Sequence, residues 1–408
     1  MKLYQVTQSF ESRALTDLRA AVFRQLDALG LDVPQGDVAL TAGSRGIAHI
    51  ALITRAVGDW LKTRGATPFI VPCMGSHNGA TADGQRAMIE SLGITEDAMD
   101  MEIRSAMDVV KIGEVQTGAV YMDRHCCEAA GVVVMNRIKL HTAFAGPLQS
   151  GLVKMMVVGM GKVPSARTFH SATPDRMAVM LEEMGQRILD SGRILAGVAI
   201  LEDGYDQTAE IHAVPAEGLI DAEKRLLERH RKDFPSLPVE RLNVLVVETI
   251  GKTFSGTGMD TNVIGRRGIR GFEDLPGPKI HVIAALGLHP SSQGNALGVG
   301  LADFITERLR DAIDPDKTRI NVVTSGYPER GKIPVAFADD MSLIESLAGR
   351  YGEQGWMFIP DTLHLATLYV SEDVAEALKA HPQCSVDPTP IETAFRGGRL
   401  RLPFHEDC

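Results

Sequence analysis

The sequence predicts an α/β protein of two domains, each a mostly parallel sheet flanked by helices. Three observations predict it. Short β-branched runs alternate with longer segments of helical period along most of the chain. At 408 residues the chain is long enough for two hydrophobic cores. A charged helical stretch over 215–231 gives way to KDFPSLPVE, where Pro235 and Pro238 separate it from a new apolar run. The boundary is therefore expected at 237/238. It gives an N-terminal domain of 1–237 and a C-terminal α/β domain of 238–392, with a tail, 393–408, expected to return to the first domain.

Leu15, Leu18, Val22, Leu26 and Leu29 form one helical stripe, which Gly30 can terminate. VALTA at 38–42 reads as a strand, and Ile50, Ile53, Val57 and Leu61 stripe the next helix. FIV at 69–71 is a second strand followed by a helix over 82–92, and GVVVM at 131–135 is a third strand, buried on both faces. Further apolar runs at 194–201, 243–247, 279–286 and 320–323 continue the strand pattern. No internal repeat or low-complexity segment interrupts it.

Composition narrows the function. The hydrophobic fraction is 44% and the charged fraction 23%, which suits a packed globular chain. A formal net charge of −10 argues against a nucleic-acid binder, although local basic pockets for a small anion are compatible with it. The five cysteines, Cys73, Cys126, Cys127, Cys384 and Cys408, are odd in number and irregular in spacing, as expected of free thiols in a reducing compartment. The N-terminus turns polar at once, and no apolar run approaches the ~18 residues that a membrane span needs. A cytoplasmic protein without membrane partners is expected.

The chemistry lies in the loops at the ends of the strands. Residues 38–42 lead into Gly43-Ser44-Arg45-Gly46, the strand near Val71 into GSHNGAT at 75–81, and Met135 into NRIKLHT at 136–142. In a parallel sheet these loops share one edge, so Arg45, His77 and His141 are expected to converge there. Arginine grips a carboxylate with two parallel hydrogen bonds, and histidine exchanges protons near neutral pH. Two histidines on opposite faces of a small molecule suit a reaction that runs in both stereochemical directions. Lys154 stands inside SGLVKMMVVG, an apolar run in which a charged amine is costly. It must therefore reach solvent along its stem or be chemically special, as a depressed-pKa amine or a covalent attachment point. His170 comes next, in RTFH.

Arg45 in GSRG, His77 in GSHNGAT, His141 in RIKLHT, Lys154 in SGLVKMMVVG and His170, in that order, resemble the nickel-dependent lactate racemase superfamily of hydroxy-acid racemases and epimerases. The resemblance covers roughly 38–205 and is looser beyond. It implies a nickel pincer nucleotide, a pyridinium mononucleotide whose two thiocarboxyl arms hold Ni(II), tethered to Lys154 as a thioamide with His170 as the nickel ligand. It also implies His77 and His141 as the acid–base pair, Arg45 as the substrate carboxylate partner, and cofactor-assembly enzymes as partners. The second-domain lysine that the family uses on its substrate is expected to be Lys252, in ETIGKT after residues 243–247, with Arg330 and Lys332 behind SGYP as the alternative. A cleft between the domains would then carry the site. Ala42 stands where the family often has an acid, and the Gly-rich segment 255–263 is unlike lactate racemase, so a divergent branch with a substrate other than lactate is expected.

Other readings remain open beside this one. The same histidines could bind a metal directly in a hydrolase or lyase, or the chain could be a non-enzymatic binder of a hydroxy acid or nucleotide. Cys73 and His77 have one half of a zinc spacing without a second half. Gly161-Lys162 and Gly251-Lys252-Thr253 fail as P-loops, because Met156 and Val246 stand where a glycine is required. Glu202, Asp203, Asp206 and His212 read as solvated loop residues.

Overall fold

The computed structural model describes residues 1–44 and 46–404. It is an α/β protein with mostly parallel sheets, and the chain divides into two compact units, 11–234 and 1–10 with 235–408.

The unit of 11–234 is built on five strands in the order Ala66–Pro72, Gly36–Ala42, Gly131–Arg137, Ile194–Glu202, Thr208–Pro215. All neighbours are parallel except the last pair. Both faces are buried, which is why the strands read as unbroken apolar runs. Val38, Leu40, Val133 and Met135 enter one core with Val57 and Trp60 of the helix Ile50–Thr63. Ala39, Val132 and Val134 enter the other, against Leu152, Met156 and Leu181. The period-two alternation thus divides each strand between two helix layers. Residues 36–42 pair on one side with the strand that comes next in sequence and on the other with 131–137, so the strand order reverses between 36–42 and 131–137.

The second unit holds a nine-stranded sheet. Its path is Val335–Phe337, Phe304–Thr306, Lys279–Leu288, Arg241–Ile250, Trp356–Ile359, Thr367–Val370, Lys2–Gln8, Cys384–Val386, with Ile391–Glu392 also paired to Lys2–Gln8. The first five strands are parallel and the others antiparallel.

Three features differ from the sequence expectations. The first ten residues, expected in the N-terminal domain, form a strand within the second unit, where Leu3 and Val6 are wholly buried. The tail, expected to return to the first domain, instead makes the hairpin Ala394–Arg396/Arg399–Arg401, and Leu400 and Phe404 join the second unit's core. The run 320–323 is not a strand. It belongs to the helix Pro315–Ser325, whose first turn is capped by Asp314 and started by Pro315. Ile320 and Val323 are exposed on that helix, so burial does not account for their apolar character. No helix among the described residues is long and apolar enough to cross a membrane.

Candidate active site

In an open parallel sheet, ligands bind beyond the carboxyl ends of the strands where the order reverses. In the unit of 11–234 that place is the sheet edge beyond 36–42 and 131–137, and the loops carrying Ser44 and Lys139–His141 leave the sheet there. Ser44 Oγ lies 2.6 Å from His77 Nδ1, joining the loop after the first strand to the loop after the second. The His77 loop is tightly built. Gly75 has φ +63, its N–H donates to the Gly159 carbonyl, and an added Cβ would press on Ala166 and Val158. His77 itself is exposed.

His141 is half-buried, and its Nδ1 accepts a hydrogen bond from the Ala143 N–H at 3.0 Å. In the neutral imidazole the proton then sits on Nε2, so the ring presents a donor. Its backbone N–H donates to Gln149 Oε1, and its ring lies 4.4 Å, centroid to centroid, from Phe144. Phe144 in turn meets Phe169 edge-on, and Phe169 meets His170. Lys154 Nζ stands 5.7 Å from the Phe144 centroid and 5.8 Å from the Phe169 centroid. Two phenyl faces therefore receive the amine, a contact that the ring quadrupoles favour. His170 has its pKa pulled down to about 4, first by burial and then by the charge of Lys154. It is a neutral imidazole at physiological pH, the form that ligates a metal. The structure thus gathers His141, Lys154 and His170 around one aromatic platform, and the two phenylalanines are the part that sequence reasoning missed.

Lys154 closes a short helical turn, Leu152–Lys154, that passes into a π-turn at Met155–Gly159. Extra-wide turns of this kind cluster at functional sites because they re-aim the side chains beside them. The start of the turn is held by a buried carboxylate. Glu223, 1% exposed on the helix Leu219–Asp233, accepts from the Val153 N–H at 2.8 Å and also from that of Leu152. Glycine at 151 leaves the carboxylate its place, because a Cβ there would stand 2.3 Å from Glu223 Oε1. Burial pushes the Glu223 carboxyl up to about 7, against the lowering effect of the two N–H donors.

A second buried ion lies where the turn enters the helix Lys162–His170. Lys162 is fully buried at φ +51, and its amine is 3.3 Å from the equally buried Asp123. It also donates to Gln85 Oε1 at 3.0 Å and to the Pro72 carbonyl. Gln85 Nε2 donates to the Gly75 carbonyl at 2.8 Å. The network ties the His77 loop to the start of the helix that ends in His170. Desolvation raises the Asp123 carboxyl, and the charge of Lys162 opposes that.

Arg45 lies outside the described residues. Lys252 lies in the other unit, in the loop after Arg241–Ile250, where its amine donates to Asn321 Oδ1 at 2.8 Å. The alternative pair fares differently. Arg330 is 1% exposed, stacks 5.0 Å over Tyr327 and donates from Nε and Nη2 to the Arg267 carbonyl, which is a structural arrangement. Glu202 pairs with Arg137, Asp203 accepts from the Tyr205 and Gln207 N–H groups, and His212 pairs with Glu210, so each is engaged with a partner of its own rather than aimed at one ion.

No family model matches the chain, and no curated protein matches it. Solved structures do. The lactate racemase apoprotein from Thermoanaerobacterium thermosaccharolyticum is similar over 89% of this chain and 99% of its own, with a TM-score of 0.54 and 12% identity. A crystal structure of a protein from Thermotoga maritima is similar over 79% of this chain and 85% of its own, with a TM-score of 0.50 and 13% identity. At such identities the likeness is one of fold, and the fold of this chain is lactate racemase-like.

Proposed function

We propose that the chain is a racemase or epimerase that inverts the C2 stereocentre of a 2-hydroxy acid, working with a nickel pincer nucleotide carried on Lys154. The observation that carries this reading is the placement of the Lys154 amine on the Phe144–Phe169 platform that also seats His141 and His170. The donor set fits the group. An amine half-enclosed by aromatic rings suits a covalent tether, and an imidazole kept neutral beside it would suit Ni(II), for which imidazole is a favourable ligand. When bound, the nucleotide would accept hydride from C2 and return it to either face. The hydrolase or lyase alternative asks for a metal held by protein side chains, and no group of three such ligands occurs among the described residues.

The protein's own work is to hold the hydroxy acid and move a proton at its C2 oxygen. His77 pairs through Nδ1 with a serine hydroxyl, which can donate or accept, so its Nε2 can present a lone pair. In this role His77 takes the hydroxyl proton. His141 faces the same oxygen through Nε2 and would give it a proton as the imidazolium, a state in which Nδ1 is also protonated and gives up the bond it accepts from the Ala143 N–H. Reversal exchanges the roles, with His141 taking the proton at Nε2 and His77 giving it. Arg45 is assigned to the substrate carboxylate. The buried Lys162–Asp123 network and the Glu223 cap hold the His77 loop and the Lys154 turn before substrate arrives, which is positioning catalysis. The test is loss of C2 stereochemistry in enantiopure hydroxy acids, using protein co-expressed with cofactor-assembly enzymes. Activity is expected in the wild type and absent from Lys154→Ala and from the His77→Ala/His141→Ala double variant. Equal activity in Lys154→Ala would refute the reading.

A further inference from the structure

In the unit formed by 1–10 and 235–408, the amino edge of the sheet carries charge where a central strand pair would ordinarily be packed. Arg241–Ile250 and Lys279–Leu288 are adjacent parallel strands, and Arg241 stands opposite Lys279 in register. Register partners on parallel strands share a face with every second residue after them, so Arg241 and Asn243 lie beside Lys279 and His281. All four are exposed, whereas Leu245 and Ile283, the next positions on that face, are wholly buried. The two strands thus begin with an uncovered polar patch.

Above this patch is a cavity of about 400 Å³, lined by the four side chains together with Arg266 and Asp274. Its wall is a loop closed on itself. The Leu275 N–H donates to the Gly265 carbonyl at 3.2 Å, and the Arg267 N–H donates to Asp274 Oδ1 at 2.7 Å. Gly265, at φ +67, lies so close to the Pro278 carbonyl that a Cβ would collide with it. Arg266 is pinned to this wall, donating from Nη1 to Asp303 at 2.8 Å and to the Leu301 carbonyl at 2.9 Å, so its charge is balanced. Arg241 and Lys279 are not balanced in this way. The Lys279 amine donates to the neutral Leu275 carbonyl at 2.9 Å, and among the described residues neither cation has a carboxylate within ion-pair distance. Like charges side by side on neighbouring strands repel, and an anion between them removes that cost.

The chemistry of the lining narrows the ligand. Two adjacent cations suit a dianion, and a phosphoryl group has oxygens enough for both the arginine fork and the lysine amine. Inorganic phosphate alone would leave much of a cavity this size empty. On the rest of the lining, Asp274 is an acceptor, and Asn243, whose Nδ2 donates to the Gln354 carbonyl at 2.8 Å, offers Oδ1 as another. We propose that this cavity binds the phosphate monoester of a small polyol, with the phosphoryl group between Arg241 and Lys279 and the hydroxyls toward Asp274 and Asn243. Strands rise roughly 3.3 Å per residue, so the site lies about 30 Å from the Lys252 loop at the opposite end of Arg241–Ile250. It shares no residue with the function proposed above.

Calorimetric titration of the full-length apoprotein tests it, with D-ribose 5-phosphate as probe, D-ribose as the analogue without the phosphoryl group and inorganic phosphate as the one without the polyol. Ribose 5-phosphate is expected to bind at least about tenfold more tightly than either. Arg241→Gln and Lys279→Gln are each expected to weaken it about tenfold and to leave the thermal transition unchanged, because both side chains are exposed. Lys154→Met and Lys252→Met are expected to bind it as wild type does, and loss in either would put the ligand at a carboxyl edge and overturn the proposal. Binding no tighter than that of ribose or of inorganic phosphate, or unweakened in an Arg241→Gln/Lys279→Gln double variant, would also overturn it. None of these outcomes depends on racemase activity, so the two proposals stand or fall separately.

Discussion

Replacing Glu223 by glutamine tests how the lysine-bearing turn is held. The carboxyl is buried with backbone N–H groups as its partners, and its pKa stands at about 7 against an ordinary 4.5. A carboxyl raised in the folded state binds its proton more tightly there than in the unfolded chain. Its stabilising contribution is therefore fully present below about pH 4.5 and is lost as pH rises through 7. At roughly 1.36 kcal/mol per pH unit, the Glu223 contribution falls by about 2.5 kcal/mol between pH 5 and pH 8. Glutamine keeps an oxygen for the Val153 N–H and does not titrate. The stability difference between Glu223→Gln and wild type should therefore shift by about 2.5 kcal/mol toward the variant over that interval. Urea unfolding of the unit of 11–234 reads this through Trp60, in a Trp356→Phe background, because the two tryptophans lie in different units. A difference that stays constant from pH 5 to pH 8 would refute the reasoning.

Other perturbations probe the same geometry. Lys162→Met leaves Asp123 buried without its cation and should cost about 3–5 kcal/mol, much of it recovered by adding Asp123→Asn; chemical denaturation of the single and double variants measures both. His170→Ala should keep any adduct on Lys154 but lose bound nickel, as read by elemental analysis of protein whose intact mass is known. Ser44→Ala removes the hydroxyl that orients His77 and should lower kcat about tenfold or less with little change in KM.

The sheets are readable because strands buried on both faces are continuous apolar runs, as in GVVVM. What the sequence hides is mostly long-range. Nothing local marks residues 2–8 as the partner of strands more than 350 positions away, since pairing is decided by the assembled sheet. The run 320–323, read as a strand, does carry a local warning, an Asp-Pro start just upstream that favours a helix. Glu223 also has a signal. Leu219, Glu223, Leu227 and His230 share one helical face and all four are buried, so the periodicity places a carboxylate in the apolar stripe although charged neighbours conceal it. Lys162 stands out in sequence only as part of a failed P-loop, because a positive φ and a buried partner 39 positions away leave no local trace. The loop histidines and Lys154 are legible as unusual residues in special places, whereas the Phe144–Phe169 platform that joins His141 to Lys154 and His170 is not.

Intact-mass and peptide mass spectrometry of the chain co-expressed with nickel and cofactor-assembly enzymes tests the central claim directly. A covalent nucleotide adduct on the peptide containing Lys154, lost in Lys154→Ala, is the expected result. An unmodified Lys154 in protein that nonetheless racemises a hydroxy acid would contradict the account.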